Sequence, residues 1–224
     1  MNTFSKDIDI ARIEPGLFLE PAFIIYRIFE AAGVSITSGV LTSEGAAFTT
    51  CGIEPGCMLM VDDASIVTLY EIAEIISDEQ LAVSIINPPG ADAVSPPDKT
   101  AVAVSVVSFK PLAAETHNHI SRLFGLAPGS PESLSSTDNI ADIEPLRQVS
   151  VFGVCRRAFE ILATSAAAQS PIDADLVEHL KDKAAAYQRR YYRSMESVWF
   201  TVNIAGSAAA TRTIRGGLTN AVRN

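Results

Sequence analysis

Between Val34 and Lys110 the apolar residues recur at every second position, in short runs. From Leu112 to about Glu196 they recur at three and four, and from Val198 the period returns to two. The central runs are VSITSGVLTS, AAFTT, MLMVDD, IVTLYEIAEIIS, LAVSIIN and AVAVSVVSFK, rich in Val, Ile, Thr and aromatic residues. Turn signals separate them: Gly39, Gly45, Ile53-Glu54-Pro55-Gly56, Asp62-Asp63, Ser77-Asp78-Glu79 and Asn87-Pro88-Pro89-Gly90. Five or six short strands at this spacing predict a small antiparallel barrel or sandwich. Alternation is clearest in the last run, where Val102, Val104 and Val106 face one side and Ala103 and Ser105 the other. Asn87–Lys99 carries four prolines, cannot pair as a central strand, and reads as a protruding loop or arm.

The flanks read as helices. Pro21 suits a first helical turn, Phe23, Tyr26 and Phe29 follow at helical spacing, and Gly33 suits a C′ position, which predicts a helix over 21–31. LAAETHNHISRLFGLAP predicts a helix with Leu112, Ile120, Leu123 and Phe124 near one face, ending at Gly125. Gly129–Asp142 is a Ser/Pro/Asp linker. Asp142 is the expected cap of a helix with Pro145 in its first turn, running to about Ala168, where Ser170-Pro171 stops it. Asp173 is the expected cap of the next helix, which ends near Glu196. Two long helices joined by a tight turn make an αα-hairpin. Val198, Phe200 and Val202 then alternate with Trp199, Thr201 and Asn203. Ala205-Gly206-Ser207 predicts a turn and AAATRTIR a return strand. The expected fold class is therefore α+β: a small antiparallel β-barrel or sandwich plus a helical hairpin with a C-terminal β-hairpin. The expected division is an N-terminal arm and helix (1–33), a barrel-like domain (34–111), a helical domain (112–197) and a hairpin tail (198–224).

Charge changes this picture in one respect. Residues 1–114 hold five Lys/Arg against fifteen Asp/Glu, whereas 115–224 hold twelve against eleven. From Lys183 onward the only acid is Glu196, among seven bases. An acidic front and a basic end suit head-to-tail assembly of identical subunits, or a basic end facing an acidic partner. Charged residues make up only 19% of the chain, so less of its surface is specialised for water. Leu17–Gly33, the most apolar N-terminal stretch, is interrupted by Glu20, Pro21, Arg27 and Glu30. Neither a membrane span nor a secretion signal is expected.

Candidate chemistry is thin. Cys51, Cys57 and Cys155 form neither a disulfide framework nor a zinc spacing and read as small core residues. His117 and His119 are the best metal candidates, but on a helix their side chains diverge by about 200°. Asp62-Asp63 lacks the following carboxylates of a calcium loop, and Asp173 and Asp175 read as helix-start residues. Phosphate-loop, dinucleotide and nucleophile-elbow motifs do not occur. Neither a catalytic residue nor a cofactor or metal site is assigned. Tyr187, Arg189, Arg190, Tyr191, Tyr192 and Arg193 interleave aromatics with bases. Tyr187 and Tyr191, one helical turn apart, form a packing stripe, and the arginines suit phosphates.

KAAAYQRRYYRSMESVWFTVN, a helix followed by a strand pair, resembles the head–tail connector (adaptor) proteins of tailed phages and prophage-like elements. LRQVSVFGVCRRAFEILATSA resembles the first arm of their helical hairpin. FTTCGIEPGCMLMVDDASIVTLYEIAEIISDEQLAVSI is similar to the small β-domains of phage neck and tail proteins, with Cys57 where such turns usually carry Asp. The resemblance implies a structural virion protein, made in the host cytoplasm, that forms a homo-oligomeric ring at the neck. Its partners would be portal or tail proteins, with non-specific contact to DNA in a channel. Tyr187, Tyr191, Trp199 and Phe200 are the expected interface residues. Arg189, Arg190 and Arg193 are the expected contacts to an acidic partner or DNA phosphates. The rival readings are a monomeric intracellular ligand- or peptide-binding module, a tail-completion protein, and a metal-dependent enzyme using His117 and His119.

Overall fold

The computed structural model describes residues 3–64, 66–126, 140–169, 173–203 and 211–216. The fold is α+β, as the periodicity predicts, and divides into two compact units: Lys6–Phe109, and Met1–Ser5 together with Lys110–Asn224. The barrel unit ends at Phe109. The arm expected over 1–33 is not separate, because residues 6–33 belong to the barrel unit. Most of the linker at 129–142, the Ser170-Pro171 stop and the Ala205-Gly206-Ser207 turn lie outside the described residues.

The barrel unit opens with α1 (Asp7–Ala11), whose Ile8, Ile10 and Ala11 are buried, followed by 3₁₀ turns at Pro15–Leu19 and Pro21–Tyr26. Six strands follow: β1 (Arg27–Thr37), β2 (Val40–Thr42), β3 (Met58–Asp62), β4 (Val67–Ser77), β5 (Gln80–Ile85) and β6 (Lys99–Val107). They close a barrel in the order β1-β2-β5-β4-β3-β6, and every pairing is antiparallel. The interior is filled by side chains, among them Ile36, Leu41, Phe48, Leu59, Val61, Ile72, Leu81 and Val106. Each such residue contributes about 1.5–3 kcal/mol by leaving water.

The helix expected over 21–31 is instead a 3₁₀ turn running into β1. Ile28 and Phe29 suit a pleated, half-buried surface, and β1 finds a partner in β6 (Phe29↔Val106, Ala31↔Val104, Val34↔Val102). That long-range pairing outweighs the local helical spacing. Gly33 does adopt a left-handed backbone (φ +73°), but it serves the bulge between Ala31 and Val34 and not a helix cap. AAFTT forms turns and no strand, with Phe48 driven into the core. Asn87–Lys99 does not protrude freely. Ile85 donates its N–H to the Val94 carbonyl, Val94 donates to Ser84 Oγ, and Ser38 donates to Asp98 Oδ1. The β1–β2 hairpin turns on Ser38 and Gly39, both at positive φ, and a Cβ at Gly39 would lie 2.7 Å from Ser95 Oγ.

The helical unit contains α2 (Lys110–Leu123), α3 (Glu144–Ala167), α4 (Ala174–Ser197) and the strand pair β7 (Trp199–Asn203) and β8 (Thr211–Arg215). Asp173 caps α4 as expected, its Oδ1 accepting from Leu176 N at 3.0 Å. Pro145 sits in the first turn of α3, but Ile143 occupies the cap position. Asp142 instead accepts from Glu144 N at 3.3 Å. The core joins Phe4, Ile120, Leu126, Ile140, Leu146, Val149, Tyr191, Met195, Val198, Phe200 and Val202. The β-hairpin is therefore part of this unit and not a separate tail. Leu123, expected on the buried face of α2, is exposed. Cys57 and Cys155 are buried as expected, whereas Cys51 is only half-buried. Among the described residues, no helix is long and apolar enough to cross a membrane.

Candidate functional site

Helix α2 separates the two histidines, as its geometry requires. His117 packs against Phe4, with ring centroids 4.2 Å apart. Its Nδ1 is buried without a hydrogen bond among the described residues, and burial lowers its basicity. His119 faces a cleft beside Tyr191. Among the described residues, no group of three or more His, Cys, Asp or Glu is placed to hold a metal.

The stripe on α4 forms as expected. Tyr187 stacks on Phe159 of α3 (centroids 5.7 Å, planes 11° apart), and Tyr191 is 1% exposed. Phe200 is fully buried and meets Phe124 edge-on at 5.2 Å. These three side chains are spent on the unit's own core, so they offer no surface to a partner. Of the four expected interface residues only Trp199, 58% exposed, lies outside. A strand with one face buried directs its alternate residues outward, and Phe200 and Val202 hold the inward positions. Arg189, Arg190 and Arg193 are exposed on α4. Arg190 covers the Tyr187 ring at 5.2 Å, and Arg189 and Arg193 form no ion pair among the described residues. Beyond them, β7 and β8 pair from Trp199↔Arg215 to Asn203↔Thr211. Ile140 bridges β7 at Val202, whereas no described strand pairs with the outer edge of β8.

The second feature is a cleft of about 350 Å³ among α2, α3 and α4. Glu115, Thr116, Asn118, His119 and Arg122 line it from α2, Gly153, Arg156 and Arg157 from α3, and Tyr191 from α4. Gly153 permits the close approach of the three helices. A Cβ there would lie 2.5 Å from Thr116 Cγ2 and 3.0 Å from Tyr191 Cε2. The Arg156 guanidinium lies 5.5 Å from the Tyr191 ring centre. Arg156 Nε is buried and forms no hydrogen bond among the described residues, although Glu160 Oε1 pairs with it at 3.6 Å. Tyr191 Oη is also buried, with no hydrogen-bond partner among the described residues. Burial pushes its pKa up to about 12, although the nearby Arg156 charge works against the shift. Arg157 is held by Glu160 at 3.2 Å and Glu115 at 3.9 Å.

Sequence reasoning did not assemble this cleft. Its signal is the adjacent Arg156-Arg157 pair, one turn after a glycine in the middle of the helix. Comparison with known proteins identifies no relative: no family model, no curated protein and no solved structure matches the chain.

Proposed function

We propose that this chain is a structural subunit of a tailed-phage virion, forming a homo-oligomeric ring at the head–tail junction as a connector or adaptor. The observation that carries this reading is the β7–β8 ribbon. It presents the outer edge of β8, unpaired among the described residues, beside an exposed Trp199, on a unit whose last helix exposes Arg189, Arg190 and Arg193. An open edge offers a row of backbone donors and acceptors, which strand addition from a neighbouring subunit satisfies. An exposed aromatic beside it supplies apolar area at small entropic cost. The exposed arginines then face the acidic barrel unit of the next subunit, or DNA phosphates in the channel. No chemistry is required: closure of the ring is the function. A stand-alone barrel holding a ligand draws no support from an interior filled with side chains.

The test is the mass of the purified full chain by light scattering over a range of concentration and salt, alone and with a portal protein, followed by electron microscopy. A closed oligomer, formed alone or on the portal and lost in Trp199→Ala combined with Thr213→Pro, supports the reading. Thr201 directs its carbonyl to Ala141 N, away from β8, so its partner Thr213 turns its N–H to the outer edge, and proline there removes that donor. A chain that stays monomeric with every partner overturns it.

A further inference from the structure

The cleft of the helical unit has properties that assembly does not explain. Three arginines line it, Arg156 half-buried and Arg122 and Arg157 exposed, and each keeps its charge at any ordinary pH. Glu160 and Glu115 engage Arg157. Arg122 forms no ion pair among the described residues, and the buried Nε of Arg156 reaches only the Glu160 carboxylate, at 3.6 Å, too far for a hydrogen bond. The Tyr191 hydroxyl adds a second buried donor with no hydrogen bond among the described residues. Buried donors left unmet cost free energy, and folded proteins hold few of them. Here two lie on residues lining one cleft, and two further polar side chains, Asn118 and Thr116, line it as well.

We propose that this cleft binds a phosphate-bearing small molecule, with the phosphoryl group among Arg122, Arg156 and the Tyr191 hydroxyl. Phosphate fits the donor set better than carboxylate. A phosphate monoester brings nearly two charges and three strong acceptor oxygens, whereas a carboxylate brings one charge and two oxygens. Planar guanidinium forks match either anion in two-point fashion, but only phosphate leaves an oxygen for the hydroxyl. The volume matters too. At about 30 Å³ per water, 350 Å³ holds roughly ten waters, which leaves room beyond the phosphoryl group for a compact body such as a pentose. Asn118, Thr116 and His119 are the lining groups available to its hydroxyls. Glu115 lies on the same wall and discourages a second anionic group, which favours a monophosphate.

The site does not depend on ring formation, and its test is made on the full chain in whichever oligomeric state it adopts. Ribose 5-phosphate, ribose and inorganic phosphate are titrated by calorimetry. The expected result is saturable binding of ribose 5-phosphate at one site per chain, weaker binding of inorganic phosphate, and no heat from ribose. Arg156→Gln and Arg122→Gln each weaken binding about tenfold or more, the usual loss for a charge-assisted hydrogen bond. Lys181→Gln removes the same charge from an exposed position outside the cleft and leaves binding unchanged. Tyr191→Phe removes only the orphan hydroxyl, so it folds while binding more weakly. Absence of saturable binding in the millimolar range overturns the proposal. So does equal weakening by Lys181→Gln, which would mark diffuse charge attraction. A short single-stranded DNA that displaces ribose 5-phosphate and is itself weakened by Arg189→Gln but not by Arg156→Gln also overturns it.

Discussion

In the barrel unit the buried carboxylate of Asp7 is met by three residues. Phe109 donates its backbone N–H at 2.8 Å, and the Ser108 hydroxyl and Cys57 thiol add their hydrogens. In the helical unit the buried Tyr191 hydroxyl meets no acceptor among the described residues, and Arg156 Nε reaches only Glu160 Oε1, at 3.6 Å. Both places bring polar groups out of water, and the difference lies in what surrounds them. A polar group enclosed by its own chain's donors acts as a fastening, because removing any member exposes the others to an unmet cost. One that its own chain leaves without a partner, on the wall of an open cleft, is better placed to act on something from outside. Burial alone therefore does not separate a structural polar residue from a binding one. The state of its hydrogen bonds does.

The largest expected effect tests the fastening. Burial is the main cause that raises the pKa of Asp7 from 3.8 to about 6. The three hydrogen bonds oppose the shift and Glu54 adds to it. The folded state thus holds a proton that the unfolded chain has already released between about pH 4 and pH 6. Stability therefore falls as pH rises through that window, by about 3 kcal/mol, and this contribution is level above it. Urea denaturation across the range should show the decline. Asp7→Asn, whose side-chain carbonyl can still accept from Phe109, should flatten it. A slope that persists in the variant assigns the effect to other groups.

A smaller effect tests how tightly the cleft's walls are held. Helix propensity alone predicts that Gly153→Ala stabilises α3 by about 1 kcal/mol. Contact with Thr116 and Tyr191 predicts a loss of about 1–3 kcal/mol instead. The sign of the change in denaturation midpoint decides, and a gain would mean that the helices pack more loosely than described. The smallest effect tests the orphan. Tyr191→Phe removes a buried hydroxyl that has no partner among the described residues, so ligand-free stability should rise by about 1 kcal/mol. A loss of similar size would show that the hydroxyl already has an internal partner.

The parts of the fold legible in the sequence are those fixed by neighbours. The strands from Met58 to Val107 carry their own alternation and turn residues, and α3 and α4 carry Pro145 and Asp173 at their starts. The residues misread are those fixed from afar. Asp7 looks like an ordinary acid in a first helical turn until Phe109, 102 positions on, returns to it. Residues 21–31 show helical spacing, and only β6 makes a strand of their second half. The cleft needs Arg122, Arg156 and Tyr191 from three helices, a coincidence that no local period encodes. Tyr187, Tyr191 and Phe200 were legible as packing residues, but whether they pack inward or against a partner depends on the whole unit.

The Asp7–Phe109 hydrogen bond has a mechanical meaning as well. The chain enters the barrel unit at Lys6 and leaves it at Phe109, and this bond joins the two crossings. Tension applied to the chain on either side is borne first by that clasp and by the adjoining Tyr26–Ser108 bond, and not by the strand ladder. The barrel thus behaves as a cassette spliced into the helical unit, bypassed by load as a bead is when its thread is knotted at the mouth. Splicing Ser5 directly to Lys110 is the matching cut, removing the cassette at the points where the chain itself draws the line.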